Sequence, residues 1–240
     1  MERLTGAEEL LDGALDDQAT LVGNLRDLRR LNRALGGVRL SRLAIERLAA
    51  ERGDEDSRAE LAVLDVGTGG ADIPVALLAD ARRRRRRMRF VAIDSRPEVI
   101  AAAALARRGI DHCRGLLLDV LDGRSLPYPD DAFDVVHSSL LIHHLDRDDA
   151  VAMLAEMGRV GRLGVVVNDV ARGRVAWLAA TALVTLVFGN RYTRHDAPLS
   201  VRRAYTPAEI GAMLAEAGLR PIAELGVVGG YRFAIAAVPR

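Results

Sequence analysis

The amino-acid sequence predicts an α/β fold in which strands and helices alternate around a largely parallel sheet. An apolar run over residues 61–66 leads directly into a glycine-rich turn at Gly67–Gly70, and a second apolar run, Phe90–Asp94, follows a helix-like segment. This order is typical of a β-α-β unit. Further strand-like and helix-like segments alternate after it, and the chain closes with two strand-like runs joined by Gly229-Gly230, a hairpin signal.

The individual elements follow from hydrophobic periodicity and from helix start and stop signals. We predict strands at residues 62–66, 89–93, 115–119, 133–138, 162–168, 222–228 and 232–238. We predict helices at residues 73–85, 97–108, 147–160 and 206–217. The last helix has the clearest start, because Thr206 can cap it, Pro207 suits its first turn and Glu209 completes a capping box.

The composition excludes several classes of protein. A net charge of +1 and an aromatic content of 4% argue against a nucleic-acid partner. A single cysteine, Cys113, excludes an internal disulfide and a cysteine-rich zinc site. All 34 basic residues are arginine, which excludes a Schiff-base lysine and a phosphate-loop lysine. Because the overall charge is nearly balanced and a basic end suits the negative pole of a helix dipole, we interpret the six arginines of Arg82–Arg87 as a solvated helix end rather than a polyanion site.

The length of 240 residues fits one large α/β domain, or a core with a small appendage. The N-terminal residues lack the charged and apolar regions of a signal peptide, so we expect a cytoplasmic protein. The segment Val175–Gly189 carries no charge over fifteen residues. A membrane-spanning helix needs about 20 apolar residues, so we expect no stable membrane insertion.

The glycine turn and the acids around it indicate a ligand that carries a nucleoside. Asp65 precedes the turn and Asp72 follows it, which disfavours a pyrophosphate and suits a ligand with an ammonium and a sulfonium group. Asp94 ends the second strand, a position from which a carboxylate can accept hydrogen bonds from both hydroxyls of a ribose.

The run Asp65-Val-Gly-Thr-Gly-Gly70 resembles the first motif of the class I S-adenosylmethionine-dependent methyltransferases. The segment Leu126–Val136, followed by His143-His144-Leu145, is similar to the family's Leu-Pro-Phe-x-Asp-x-x-Phe-Asp segment, although Ala71 replaces the third glycine of the first motif. The resemblance covers residues 61–145. It implies a Rossmann-like seven-stranded mixed sheet flanked by helices, with S-adenosylmethionine as cofactor and S-adenosylhomocysteine as product.

The resemblance also implies roles for individual residues. The turn residues Gly67, Thr68, Gly69 and Gly70 would lie against the methionine part of the cofactor. Asp65 and Asp72 would pair with its ammonium group, and Asp94 with Ser95 would bind the ribose. Ser138, at the end of strand four, joins these candidates.

The adenine contact has two candidates. Asp119 with Val120 ends the third strand, whereas Asp122 has the family's usual distance to Leu126. We prefer Asp119 with Val120 and treat Asp122–Ser125 as a short insertion.

Histidine is the natural proton acceptor, because its ordinary pKa is near neutrality. His143 and His144 follow strand four, at the ligand-facing end of the sheet. His195 lies in a polar stretch, where Asp196 or Tyr192 could pair with it. Two histidines and an acid could bind a metal, but no ligand spacing here is diagnostic, so we expect none.

Two further segments surround the core. Residues 1–50 are predicted to be helical, with Leu11 and Leu15 on one face and a break at Gly36-Gly37. By resemblance they form a cap over the cofactor cleft of the core, residues 51–240; packing behind the sheet is the alternative. The apolar segment lies in an insertion at about residues 170–205, where it could bind an apolar acceptor, form a homodimer or membrane-surface contact, or be a buried core helix.

The predicted function is methyl transfer from S-adenosylmethionine to a small, apolar or aromatic acceptor of the kind found in secondary metabolism, with oxygen favoured. Methylation of carbon in a quinone-like or polyketide substrate is the alternative, as is a cyclase or regulator that keeps only the fold. Ser138-Ser139-Leu140-Leu141 differs from the Asn/Asp-Pro-Pro-aromatic motif of nucleic-acid methyltransferases. The acids at the glycine turn argue against a nicotinamide oxidoreductase.

Overall fold

The computed structural model describes residues 1–15, 17–51 and 59–240. Most of the polar linker predicted at residues 51–60 lies outside these ranges. The strands are β1 (Leu61–Val66), β2 (Met88–Asp94), β3 (Leu116–Val120), β4 (Phe133–Ser139), β5 (Gly161–Val170), β6 (Leu219–Gly226) and β7 (Arg232–Pro239). They form one seven-stranded sheet in the order β3-β2-β1-β4-β5-β7-β6, in which β7 alone runs antiparallel to both neighbours. The predicted seven-stranded mixed sheet is confirmed.

The helices are α1 (Gln18–Ala34), α2 (Gly37–Ala49), α3 (Asp72–Arg83), α4 (Pro97–Ala106), α5 (Arg147–Val160), α6 (Arg174–Val187), α7 (Arg191–Arg203) and α8 (Pro207–Glu216). The capping box predicted for α8 is present, since Thr206 and Glu209 accept from each other's backbone N–H groups. None of the described helices is long and apolar enough to span a bilayer. At the end of α3, Arg83 and Arg84 pair with Asp80, so that the arginine run belongs to an exposed helix end.

The predicted helix around Leu11–Leu15 is wrong. Residues 10–13 form a turn, and α1 begins only at Gln18, where Asp17 caps the helix by accepting from Thr20 N at 2.9 Å. The backbone N–H groups of Leu10 and Leu11 instead donate to Asp196. Apolar spacing alone predicted a helix here, but tertiary hydrogen bonds hold this segment in an irregular conformation.

Helices cover both faces of the sheet. Buried side chains of α5 and α8 pack on one face, and those of α2 and α3 pack on the other. In contrast, α1 packs against α4 and α7 near the carboxyl ends of the parallel strands. The predicted break at Gly36-Gly37 is present, with Gly36 at a φ of +83°. This break separates α1, which lies near the carboxyl ends of the strands, from α2, which packs on one face of the sheet.

Candidate functional site

A cavity of about 410 Å³ opens at the carboxyl ends of the parallel strands, where ligands bind in open α/β sheets. We call it the glycine-turn cavity. Its volume lies in the range of about 300–1,000 Å³ typical of ligand pockets. The lining includes most of the predicted cofactor residues: Asp65, Gly67, Thr68, Gly69, Gly70, Asp72, Asp94, Ser95 and Asp122.

The glycine turn exposes its backbone to this cavity. Gly67 has a φ of +69°, and a Cβ there would lie 2.8 Å from Leu141 Cδ1, which is too close without repacking. A Cβ at Gly70 would face Leu25, another lining residue, at 3.5 Å. Ala71 also has a left-handed conformation, with a φ of +49°, at the position of the family's third glycine. Burial of its methyl group partly offsets a strain of about 1–2 kcal/mol.

Asp94 links two turns of the cavity wall. One carboxylate oxygen accepts from Gly69 N and the other accepts from Arg96 N, each at 3.1 Å. Burial raises the pKa of Asp94 above its ordinary value, although these N–H groups act in the opposite direction. Because each carboxylate oxygen has a second lone pair, the group can still accept hydrogen bonds from a ligand.

Asp65 belongs to a buried hydrogen-bonded chain beneath the cavity. Its Oδ1 lies 2.5 Å from His137 Nδ1, and its Oδ2 accepts from Thr68 Oγ1 at 2.6 Å. His137 Nε2 in turn lies 2.7 Å from Ser41 Oγ, and Ser41 accepts from Asn168. Sequence reasoning missed the roles of His137 and Ser41, because strand alternation does not reveal which partner a buried polar group meets. This chain fixes the orientation of the Asp65 carboxylate.

The loop after β3 corrects the preference at the adenine position. Asp122 lines the glycine-turn cavity, whereas Asp119 and Val120 are exposed, and neither is among the described lining residues. The Asp119 carboxylate accepts from Val120 N, while Arg124 donates to both oxygens of Asp122. The strand ends at Val120 and the chain then turns under the cavity, so that the geometry favours Asp122.

Strand β4 requires a similar correction. Ser138 is 1% exposed, and its hydroxyl has no hydrogen-bond partner among the described residues. Its neighbour Ser139 lines the cavity, and Ser139 Oγ accepts from Arg232 at 2.9 Å. Successive side chains of a strand point to opposite faces of the sheet. Ser138 therefore points into the protein interior, and Ser139 is the serine of this strand that faces the cavity.

The glycine-turn cavity carries an excess of negative charge. Its lining contains five aspartates and two arginines: Asp12, Asp65, Asp72, Asp94 and Asp122, with Arg96 and Arg124. Burial raises the pKa of Asp72, and Asn32 donates to both of its oxygens. A cavity with this charge suits a cationic ligand and disfavours a pyrophosphate.

A second cavity, of about 240 Å³, lies beside the first, and we call it the apolar cavity. Leu11, Leu28, Leu140 and His144 line both cavities. The apolar walls come from α1, α6 and α7 and comprise Leu31, Leu35, Ala176, Ala179, Ala180, Leu183, Val184, Ala197 and Val201. α1 is therefore a wall common to both cavities.

The apolar insertion has two faces. The inner face of α6, which includes Ala180 and Val184, lines the apolar cavity. On the outer face, Leu178 and Leu186 are 59% and 84% exposed. Val184 alone is buried among the α6 residues that the structure describes, so the alternative of a fully buried core helix is wrong.

Glu9, His143 and His144 form the polar end of the apolar cavity. His143 Nδ1 lies 2.7 Å from Asp169 Oδ1, and His144 Nδ1 lies 2.7 Å from Asp12 Oδ1. These aspartates orient both imidazole rings toward the cavities. Sequence reasoning missed Glu9 and Asp12, because residues 1–15 carry no motif and their position depends on contacts with distant α7.

Burial favours a higher pKa for all three carboxyl groups of this region, but their hydrogen-bond and charged partners differ. It raises the pKa of Glu9 to about 7. Burial also favours a higher pKa for Asp12, but hydrogen bonds with His144 and Arg203 hold it below its ordinary value. The pKa of Asp169 is likewise lowered, because the interaction with His143 outweighs burial. Both orienting aspartates are therefore ionised at neutral pH.

His195 lies apart from the other two candidate histidines. It is on α7, where its Nδ1 is 2.8 Å from Asp196 Oδ1, and its side chain is 50% exposed. Asp196 lines the apolar cavity, but His195 is not among the described residues that line either cavity. The structure therefore brings His143 and His144 together and leaves His195 at the surface.

Comparisons with known proteins agree with this geometry. Residues 63–164 match the family model of the methyltransferase domain. Similar solved structures include an S-adenosylmethionine-dependent methyltransferase from Aquifex aeolicus, with a TM-score of 0.60, 20% identity, and coverage of 92% of this chain and 97% of that one. No curated protein sequence matches the chain.

Two other similar structures are longer than this chain. One is an O-methyltransferase family 2 protein from Planctomyces limnophilus in complex with apigenin, with a TM-score of 0.59, 20% identity, and coverage of 95% of this chain and 63% of that one. The other is the [4+2]-cyclase SpnF, with a TM-score of 0.52, 20% identity, and coverage of 80% and 61%.

The fold, the glycine-turn cavity and the match to the methyltransferase domain over residues 63–164 support a class I S-adenosylmethionine-dependent methyltransferase. The resemblance noted in the sequence is thereby confirmed. S-Adenosylmethionine is the cofactor of this class of enzyme.

Proposed function

We propose that this enzyme methylates an oxygen atom of a small apolar or aromatic acceptor. The observation that carries the proposal is the meeting of two unlike cavities at His144. One cavity is acidic and has an open glycine backbone, and the other has apolar walls with a polar end. This arrangement suits a cationic methyl donor beside an apolar molecule that carries one polar group.

The residues of the glycine-turn cavity fit S-adenosylmethionine. Asp94 has free lone pairs for the ribose hydroxyls, and the excess of carboxylates suits the ammonium and sulfonium charges. The Asp65 carboxylate, which already contacts His137 and Thr68, would bind the ammonium group directly or through water. Asp122 would accept from the adenine amino group.

The acceptor would occupy the apolar cavity. S-Adenosylmethionine supplies a methyl group that its sulfonium already activates, so the protein's main tasks are positioning and the exclusion of water. The side chains at the polar end, Glu9, His143 and His144, would orient the acceptor's hydroxyl and assist the loss of its proton. The apigenin complex of a structurally similar O-methyltransferase supports an aromatic acceptor.

The test is transfer of an isotope-labelled methyl group from S-adenosylmethionine to a set of phenols, with apigenin and a hydroquinone as first probes. We expect a labelled product with its methyl group on oxygen. Ala180→Phe should fill the apolar cavity and lower kcat/KM for the acceptor at least tenfold, with the Kd for S-adenosylmethionine unchanged. Ala182→Phe is the matched control, because Ala182 is exposed on the same helix.

Equal loss of turnover in both phenylalanine variants would contradict the assignment of the apolar cavity to the acceptor. A methyl group found on carbon would favour C-methylation of a quinone-like or polyketide substrate. Tight binding of S-adenosylmethionine without transfer to any probe would favour a non-methylating role. The shared fold of the [4+2]-cyclase SpnF gives that alternative its support.

A further inference from the structure

Glu9, His143 and His144, which we call the Glu9 cluster, come together from distant parts of the chain. Each side chain offers one donor atom, and these atoms all lie within 4.8 Å of one another. Glu9 Oε1 is 3.6 Å from His143 Nε2, and Glu9 Oε2 is 3.8 Å from His144 Nε2. Glu9 and His143 are buried, with exposures of 3% and 1%.

These separations are too long for hydrogen bonds, which join nitrogen and oxygen at about 2.7–3.2 Å. They agree with donors that share one ion. With metal–ligand distances of about 2.0–2.1 Å and tetrahedral angles, two ligand atoms lie about 3.4 Å apart. The two distances from Glu9 to the imidazoles are thus within about 0.4 Å of the separation expected for ligands that share one ion.

The orientation of both imidazoles supports the same conclusion. His143 Nδ1 lies 2.7 Å from Asp169 Oδ1, and His144 Nδ1 lies 2.7 Å from Asp12 Oδ1. With Nδ1 paired in this way, the Nε2 atom on the other side of each ring lies on the side of Glu9. A carboxylate behind each imidazole is the usual arrangement around metal-binding histidines, because it fixes the ring and strengthens the nitrogen donor.

His143 Nε2 provides an independent observation. It is buried and has no hydrogen-bond partner among the described residues. Burial of a polar atom without a partner is unfavourable. Glu9 Oε1, which faces this nitrogen, accepts from Ser200 Oγ at 2.9 Å and pairs with Arg203 at 3.6 Å, while the shorter contact of Arg203 is with Asp12 at 2.6 Å. A bound cation would satisfy His143 Nε2 and add a close positive charge to Glu9.

We propose that Glu9, His143 and His144 bind a divalent first-row transition-metal ion. Two imidazoles and one carboxylate are a donor set typical of zinc sites that keep an open coordination position. This replaces our expectation of no metal, which rested on sequence spacing: Glu9 lies too far along the chain from the histidines for any motif to reveal it.

The ion would have a role in the reaction, and this part rests on the proposed function. The cluster lines the apolar cavity, so its open position would face the acceptor. A cation there would bind the acceptor's oxygen and favour its deprotonated form, as zinc does for water. The acceptor class would then be phenols or enols whose oxygen can become an anion.

The test uses the full chain after removal of metals with a chelator. We expect one Zn²⁺ per chain, measured by competition with a chromophoric chelator, and a visible spectrum of four- or five-coordinate Co²⁺. Glu9→Gln should weaken Zn²⁺ binding at least tenfold, and His143→Ala should abolish it. Asp169→Asn, which acts through His143, should weaken binding by about 10–100-fold. His112→Ala is the control, because His112 is an exposed histidine away from the cluster.

Zn²⁺ should also raise the unfolding temperature of the wild type, because a ligand that binds only the native state stabilises it. Binding of S-adenosylmethionine by each variant shows that the variant is folded; if His143→Ala does not fold, Glu9→Gln decides. Equal Zn²⁺ affinity in the wild type and Glu9→Gln would overturn the metal site. Failure of methyl transfer with intact Zn²⁺ binding would instead contradict the proposed function alone.

Discussion

At the scale of single residues, the site depends on carboxylates that each do two things. Asp94 holds the backbone of the glycine turn while it faces the cavity, and Asp65 is fixed from below by His137. Asp12 and Asp169 orient two histidines without lying at the polar end themselves. A substitution at Asp94 or Asp65 therefore changes a candidate binding group and the structure around it. A substitution at Asp12 or Asp169 changes the orientation of a histidine.

Asp94 gives the sharpest prediction at this scale. Asp94→Ala should weaken S-adenosylmethionine binding by on the order of 100-fold, because a hydrogen bond to a charged group is worth about 1.5–3 kcal/mol. Isothermal titration calorimetry measures the change. Asp94→Asn keeps one acceptor oxygen and should lose less. If both variants bound as tightly as the wild type, the ribose would have to lie elsewhere.

The two acids after β3 provide a paired comparison. Asp122→Ala should weaken S-adenosylmethionine binding about tenfold, because Asp122 lines the cavity. Asp119→Ala should leave the affinity unchanged, since Asp119 is exposed outside the lining. Measuring Kd for both variants under one set of conditions checks the assignment, and the reverse pattern would restore Asp119 as the adenine ligand.

At the scale of elements, the sequence was most informative where local chemistry determines the structure. The predicted strands and the capping box of α8 agree with the structure, because strand periodicity and caps depend on neighbouring residues. The helix predicted at Leu11–Leu15 failed, because the contacts of that segment are with α7, more than 180 residues away in sequence. The same distance concealed the role of Glu9.

The capping box of α8 carries a prediction about stability. Thr206→Ala removes the side chain that accepts from Glu209 N, and it should lower the free energy of unfolding by about 1 kcal/mol. Denaturant unfolding with and without the substitution measures this change. Thr206→Ser retains the hydroxyl and should remain close to the wild type. An equal loss in both variants would assign the effect to packing of the methyl group.

At the scale of the whole molecule, the sheet topology determines which residues meet. Most of the residues that the sequence motifs named line the glycine-turn cavity, because they follow β1 and β2 and therefore share one edge of the sheet. For the apolar cavity, the sequence predicted only that an apolar segment is inserted near residues 170–205, and it left several roles for that segment open. Its walls come from α1, α6 and α7, and no local rule predicts how separate helices enclose a space. The buried Arg232, which donates to Asn168, Asn32 and Ser139, was missed for the same reason.

The position of α1 between the two cavities has a thermodynamic consequence. Leu28 belongs to both linings, so a shift of α1 that widens one space alters the other. We therefore expect occupancy on one side to change the free energy of occupancy on the other. Such coupling is reciprocal: the factor by which a bound donor tightens or loosens the acceptor equals the factor by which the acceptor changes the donor's affinity. A single helix would thus couple the two affinities equally, whichever molecule binds first.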